Sequence, residues 1–200
     1  MANLTKIFGV IILPIFLSGC LSIGSGPLIN SISVPLSQIN KKYKLPSGFC
    51  LDNSASSSTA YQETMVVTNC IAVSNGNNFY FNRRPVDTIV NIAFTRSVVP
   101  KNISQQEYLS VIAGNIEFKK LLTASSNKKI VYGQKKLLKT FFYVNFQRIS
   151  SSDRSEFVRK YFFFVDKKLV VMTILSFQKP RKNTYIAFEG FIKKLSSANF

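Results

Sequence analysis

The residues that could carry chemistry in this 200-residue chain are three cysteines, nine carboxylates and 26 lysines and arginines. The chain contains no histidine, which removes Ser-His-Asp triads, Cys-His pairs and histidine metal sites from consideration. The carboxylates show no D-x-D, E-x-x-E or EF-hand-like spacing, so a metal site or a paired-carboxylate site has little support. A Ser-Lys arrangement needs no histidine and stays open, but we expect no enzymatic activity, no cofactor and no metal.

Cys20 lies at the end of an N-terminal signal sequence. Lys6 is followed by an apolar run, and the 13 residues from Ile7 to Gly19 are too few to span a hydrocarbon core, which needs about 20. The tetrad Leu17-Ser18-Gly19-Cys20 resembles the lipobox of bacterial lipoprotein precursors. The resemblance implies cleavage between Gly19 and Cys20, a diacylglycerol on the Cys20 thiol and acylation of the new amino group. An ordinary secretory signal with a chance cysteine is the alternative.

This leader predicts a place in the cell envelope. Two or three acyl chains anchor a protein stably, so we expect a lipid-anchored chain that faces the periplasm. Leu21 follows the cysteine, and a residue other than Asp at that position favours the outer membrane over the inner one. Residues 1–19 contain one charged residue, Lys6, so their removal lowers the net charge from +17 to +16. Because export separates the chain from cytoplasmic nucleic acid, we expect no nucleic-acid partner.

Cys50 and Cys70 remain once Cys20 carries lipid. In an oxidising compartment an even remainder favours a disulfide. Closing a loop of about 20 residues would stabilise the fold by roughly 3 kcal/mol if the effect is chain entropy. Two buried free thiols, or a metal pair, are the alternatives.

The basic residues occur mostly as pairs spread along the chain, and their simplest interpretation is a solvated surface. The functional interpretation is attraction to anionic phospholipid headgroups, lipopolysaccharide phosphates or an acidic protein partner. Each basic residue near an anionic surface contributes about 1 kcal/mol before screening. Two clusters are the candidate contacts: Lys135, Lys136 and Lys139, and Lys179, Arg181 and Lys182.

The elements that must position these residues follow an α+β pattern. Ser104 with Glu107 three residues later forms a capping box that begins a mid-chain helix, and Gly114 is placed to end it. Helical spacing over Asn183–Ala198 directs Tyr185, Phe188, Ile192 and Leu195 inward. Strand-like runs occupy Met65–Val73, Asp87–Val99, Lys129–Tyr132, Leu137–Arg148, Phe157–Val165 and Leu169–Phe177. We therefore expect an antiparallel β-sheet covered by the mid-chain helix and by a C-terminal amphipathic helix.

The last strand pair is apolar on both faces, because Tyr161–Phe164 lies opposite Leu169–Leu175 across a short turn at Asp166-Lys167-Lys168. Antiparallel sheets usually alternate apolar and polar residues. Two outcomes are open: both faces of this hairpin are covered, or one face is an exposed patch that binds lipid or protein.

The chain divides into three parts: a signal peptide at 1–19, the lipidated cysteine with a flexible tether at 20–44, and one α+β domain at 45–200. The tether is rich in Gly, Ser, Pro and Asn without a persistent period. About 25 flexible residues would reach roughly 25–30 Å. Alternatively, Ile29, Ile32 and Val34 form an added edge strand.

The element order resembles the PsbP/DcrB-like α/β sandwich, and residues 45–198 resemble a small family of alphaproteobacterial envelope proteins of unknown function. The shared features are the start Gly48-Phe49-Cys50-Leu51-Asp52, Cys70 after a hydrophobic strand, and a late strand pair around a charged turn. Where that family commonly has an aromatic-Arg pair, this chain has Arg159-Lys160-Tyr161. The resemblance implies a fold and no activity.

These patterns predict a non-enzymatic, membrane-anchored accessory or assembly component of the envelope. It would act through surface contacts with anionic lipid or a protein partner. The alternative is a periplasmic carrier that holds a small apolar ligand between the sheet and the helices.

Overall fold

A computed structural model describes residues 28–35, 40–73, 87–98, 102–114, 129–150 and 155–197. The predicted signal sequence, with Gly19 and Cys20, lies outside these residues. The helices are α1 (Cys70–Val73), α2 (Gln105–Gly114) and α3 (Lys182–Ser196). The strands are β1 (Ser31–Pro35), β2 (Asn40–Lys44), β3 (Phe49–Ser58), β4 (Gln62–Asn69), β5 (Thr88–Val98), β6 (Lys129–Leu137), β7 (Phe141–Ile149), β8 (Ser155–Val165) and β9 (Lys168–Ser176).

Seven of these strands form one antiparallel sheet in the order β3-β4-β5-β9-β8-β7-β6. The last strand of the chain, β9, therefore lies in the middle of the sheet between β5 and β8. Strands β1 and β2 form a separate antiparallel hairpin. The prediction of an α+β fold built on an antiparallel sheet is confirmed.

Both faces of the sheet are covered at β8. Along β8, Tyr161 and Phe163 belong to a core shared with α3 and the β1–β2 hairpin, while Phe162 and Phe164 pack with Leu109 of α2. All four β8 side chains are buried, because successive strand residues point to opposite faces. The hairpin that is apolar on both faces is thus an internal one.

The predicted turn between β8 and β9 is confirmed. Asp166 and Lys167 both have positive φ values, 47° and 62°, as a two-residue type I′ hairpin loop requires. This loop sets the register that places Val165 opposite Lys168.

Both predicted helices are present. The Glu107 N–H donates to the Ser104 hydroxyl at 3.1 Å, so Ser104 caps α2 as expected, and the described part of α2 extends to Gly114. In α3, Phe188, Ile192 and Leu195 are buried as predicted, and Phe191 joins them. No helix in the described part of the chain is long and apolar enough to cross a membrane.

Three strand predictions need correction. The run Leu137–Arg148 is not one strand: β6 continues to Leu137, and β7 begins at Phe141 after a turn closed by the Leu138 N–H on the Phe141 carbonyl. The turn was missed because its residues include no Gly, Pro, Asn or Asp. The predicted short strand Lys129–Tyr132 is therefore only the first part of β6. Cys70 opens the short helix α1 and does not lie within a strand.

The prediction of a flexible tether over residues 20–44 is also wrong for Ser31–Pro35 and Asn40–Lys44, which form β1 and β2. Ile32, Val34 and Tyr43 are 0%, 1% and 8% exposed and belong to the main core. The segment alternates buried Ile32 and Val34 with Ser31 and Ser33, which is the period of a strand. Its serine and proline content hid this signal. The alternative of a strand here was right, but this strand pairs with β2 in a separate hairpin and is not an edge of the main sheet.

This correction can be tested by core truncation. We expect Ile32→Ala to lower the free energy of unfolding by about 2–5 kcal/mol, because the side chain is fully buried. Urea unfolding of residues 21–200, followed by circular dichroism, measures the change. Ser33→Ala is the control, since Ser33 is exposed on the same strand, and should change stability by at most about 0.5 kcal/mol. Equal effects of the two substitutions on stability would contradict the burial of Ile32 and support a flexible tether instead.

Candidate functional site

The two predicted disulfide cysteines are bonded to each other. Cys50 of β3 and Cys70 of α1 form a disulfide with Cα atoms 4.7 Å apart, and Cys50 is buried. The Cys70 N–H also donates to the Gly48 carbonyl at 2.9 Å. Gly48 has φ +84°, a conformation that glycine adopts without steric cost. The disulfide and this hydrogen bond hold the start of α1 against the start of β3.

The predicted cluster Lys135, Lys136 and Lys139 is not one patch. Lys135 Nζ donates to the Ala113 carbonyl of α2 at 3.4 Å. Lys136 pairs with Tyr143, which belongs to the core on the other face of the sheet, and Lys139 lies in the turn after β6. Neighbouring strand residues point to opposite faces, so adjacency in sequence divides these charges.

The residues of the second cluster lie at and just before the start of α3. Arg181 is the N-cap residue of α3, and Lys182 is its first helical residue. Lys179, Arg181 and Lys182 are all exposed. Arg181 makes no side-chain capping bond. Cations near a helix N-terminus are mildly unfavourable to the helix, so helix stability does not explain this placement.

A polar cluster centred on Arg159, which the sequence analysis did not identify, lies where α3 meets the sheet. The guanidinium of Arg159 donates from Nε to Asn145 Oδ1 at 2.6 Å and from Nη1 to Glu189 Oε1 at 3.1 Å. Its central carbon lies 3.6 Å from the ring centroid of Tyr185 and 4.5 Å from that of Tyr143. Strands β7 and β8 and helix α3 therefore all contribute to holding one cation.

Tyr161 completes this cluster from β8. Its hydroxyl accepts from Arg159 Nη1 at 3.2 Å and donates to Glu189 Oε1 at 3.2 Å. Burial raises the pKa of Tyr161 well above its ordinary value, and burial likewise raises the pKa of Tyr185. The Tyr161 phenol therefore remains a protonated donor, and the cluster is suited to fixing α3 in place and not to transferring protons.

One signal could have revealed the Arg159 cluster. Arg159 shares the strand period of Tyr161 and Phe163, so it points to the side of the sheet that α3 covers. A charged side chain in such a position needs partners. Glu189 is the one acidic residue of α3 and lies one residue after the inward Phe188, which makes it the natural counter-ion.

A groove of about 280 Å³ borders this cluster. Asn145 and Tyr185 line it, together with Val131 of β6, Phe157 of β8 and Lys179 before α3. Its wall is thus partly aromatic and aliphatic, with an amide and an ammonium group at hand. Within the described residues, no group of three or more carboxylates and cysteines could hold a metal ion.

No protein-family model matches the chain, and no curated protein matches it either. Among solved structures, the chain is similar to the Ran-binding protein Mog1p of Saccharomyces cerevisiae, at 13% identity and a TM-score of 0.44, over 84% of this chain and 94% of that one. A mutant of protein Mog1 gives 12% identity and a TM-score of 0.41, over 86% and 95%. Likenesses this remote say nothing of what this chain binds.

The disulfide generates one prediction. In protein made in an oxidising compartment, neither Cys50 nor Cys70 should react with an alkylating reagent under non-reducing, denaturing conditions. Cys70→Ala should lower the free energy of unfolding by about 2–5 kcal/mol, the usual cost of losing a native disulfide. A reductant should destabilise the wild type by a similar amount and leave the variant unchanged. Alkylation of both thiols without reductant would contradict the pairing.

The raised pKa of Tyr161 generates a second prediction, on how stability depends on pH. An unfolded tyrosine ionises near pH 10, whereas the buried Tyr161 stays protonated beyond that point. The unfolded chain then binds fewer protons than the folded chain, so this contribution to stability is complete below about pH 10 and falls above it. The stability advantage of wild type over Tyr161→Phe should therefore shrink as pH rises from about 10, by up to about 1.4 kcal/mol per unit.

Urea unfolding between about pH 9 and about pH 11 measures this effect. Tyr61→Phe is the matched control, because Tyr61 is 85% exposed, and it should follow the wild-type pH profile. If wild type and Tyr161→Phe run parallel over this range, Tyr161 does not titrate as its burial requires.

Proposed function

We propose that this protein is a lipid-anchored, periplasm-facing domain of a bacterial envelope, on the outer membrane in preference to the inner one. It serves as a non-enzymatic accessory or assembly component through contacts with anionic lipid or a protein partner. The observation that carries the proposal is the tetrad Leu17-Ser18-Gly19-Cys20 behind a short apolar run. In a lipobox, the Cys20 thiol would accept the diacylglycerol.

Two further features support the proposal. The Cys50–Cys70 disulfide is typical of an oxidising compartment outside the cytoplasm. The net charge of +17 over 200 residues favours association with anionic surfaces, and the exposed cations at the start of α3 stand where helix stability does not explain them.

The side-chain chemistry of the described residues agrees with binding more than with catalysis. Arg159, Glu189 and Tyr161 use their polar atoms on one another. We also propose that the fold is of the PsbP/DcrB-like kind, on the basis of the element order.

The carrier remains the second candidate, and one observation favours it. The groove between Val131, Phe157 and Tyr185 lies between the sheet and the start of α3. Deeper between these layers the space is filled by Phe188, Ile192 and other core side chains that are 0% exposed. A ligand would therefore be a small one held at the groove, with Lys179 available to an anionic group.

The anchor is tested by acyl labelling in the native envelope. Cys20→Ser should leave an unprocessed precursor without lipid label, because only the thiol accepts diacylglycerol. The matched control is the double variant Cys50→Ser/Cys70→Ser, which removes the two other cysteines and should keep the label. Lipid label persisting in Cys20→Ser would refute the anchor.

A further inference from the structure

A second shallow groove, of about 280 Å³, lies between the segment after β2 and the outer side of α3. Leu45, Ile186 and Gly190 contribute its apolar part, and Lys44 and Lys194 line it as well. Both lysines are exposed, and Ile186 is 55% exposed. The surface thus combines an exposed aliphatic side chain with cations beside it, the composition of elements that lie in a membrane interface.

The outer side of α3 carries lysines at both of its ends. Steps of four residues bring Lys182, Ile186, Gly190 and Lys194 onto one side of the helix. The single carboxylate of α3, Glu189, is turned to Arg159 at 3.1 Å. Since that carboxylate is paired inside, the helix presents cations to the outside, and an anionic surface is the complementary partner.

The described chain begins beside this groove. The Leu45 N–H donates to the Asn30 carbonyl at 2.8 Å, and Leu45 lines the groove. Leu28, two residues before Asn30, is 48% exposed. Leu28 lies only eight positions after Cys20, a stretch of chain that can span at most roughly 28 Å. A lipid on Cys20 would therefore keep this end of the domain near the bilayer.

We propose that the surface of Lys44, Leu45, Ile186, Gly190 and Lys194, the docking face, rests on the anionic phospholipid bilayer that holds the acyl chains of Cys20. The lysines contact phosphate groups, and Ile186 enters the headgroup region. This inference rests on the proposed function for its anchor. It names the lipid surface, in preference to a protein, as the partner of this face.

The absence of tryptophan from the sequence gives a direct test. Ile186→Trp introduces a single tryptophan on the docking face, and Val111→Trp introduces one at an aliphatic residue of α2 that is 63% exposed. The purified acylated protein carrying either substitution is reconstituted into phosphatidylcholine vesicles with or without phosphatidylglycerol. Fluorescence emission and quenching by aqueous iodide are then measured.

On phosphatidylglycerol vesicles, the tryptophan at position 186 should emit at shorter wavelength and lose at least about half of its iodide quenching, whereas the one at position 111 stays fully accessible. High salt should reverse the shielding, because the Debye length falls from about 10 Å at 0.1 M to about 3 Å at 1 M. Adding Lys44→Glu and Lys194→Glu should abolish it. Adding Lys135→Glu and Lys136→Glu, which lie on β6, should leave it intact.

Equal accessibility of the two tryptophans on anionic vesicles would overturn the docking face. Shielding that appears only in native envelope vesicles, and not in pure lipid, would also overturn it and would indicate a protein partner. The mass of the same purified protein shows separately whether Cys20 is acylated. An unmodified Cys20 refutes the proposed function, whereas an acylated protein with an accessible tryptophan at position 186 refutes only the docking face.

Discussion

The Arg159–Glu189 contact fixes how α3 lies on the sheet, and the surfaces of functional interest depend on that placement. Arg159 is a strand residue whose side chain is only 12% exposed, against 27% for Glu189. A cation so placed must be paired, since leaving it unpaired would cost several kcal/mol. Asn145, Tyr143 and Tyr185 surround it from the neighbouring strand and from the helix. The helix contributes two of these partners, Glu189 and Tyr185, to the same guanidinium.

The free energy that holds α3 against the sheet comes mainly from apolar burial, not from the Arg159–Glu189 contact. Phe188, Phe191, Ile192 and Leu195 are at most 3% exposed, and burying each contributes about 1.5–3 kcal/mol. The ion pair adds less than this apolar burial, because the cost of desolvating both charges offsets much of their attraction. Apolar contact therefore binds the helix to the sheet, while the polar cluster selects its rotation. That rotation turns Glu189 inward and leaves Lys182, Ile186 and Lys194 outward.

The sequence supports the prediction of elements with strong local signals and fails where the signal is tertiary. The Ser104 cap, the Asp166-Lys167 turn and the inward side of α3 follow from neighbouring residues. The turn after Leu137 and the β1–β2 hairpin were missed, because the first lacks turn residues and the second is serine-rich. The Arg159 cluster joins residues up to 44 positions apart, Asn145 to Glu189, and no local pattern relates them. One of the two basic clusters chosen by adjacency was divided by strand alternation at Lys135 and Lys136.

The inclusion of Ile32, Val34 and Tyr43 in the core changes the physics of an anchored domain. A tether of about 25 residues would let the domain turn freely above the bilayer at roughly 25–30 Å. With the fold beginning by residue 31, at most ten residues separate Cys20 from β1. A short link of this kind holds a surface at an effective concentration on the order of millimolar. Contacts of about 1 kcal/mol per lysine, too weak to recruit a free protein, then suffice to orient one already attached. In a protein anchored in this way, the lipid would supply the affinity, and the docking face, which includes Lys44 of β2 and Ile186 of α3, would only orient the domain.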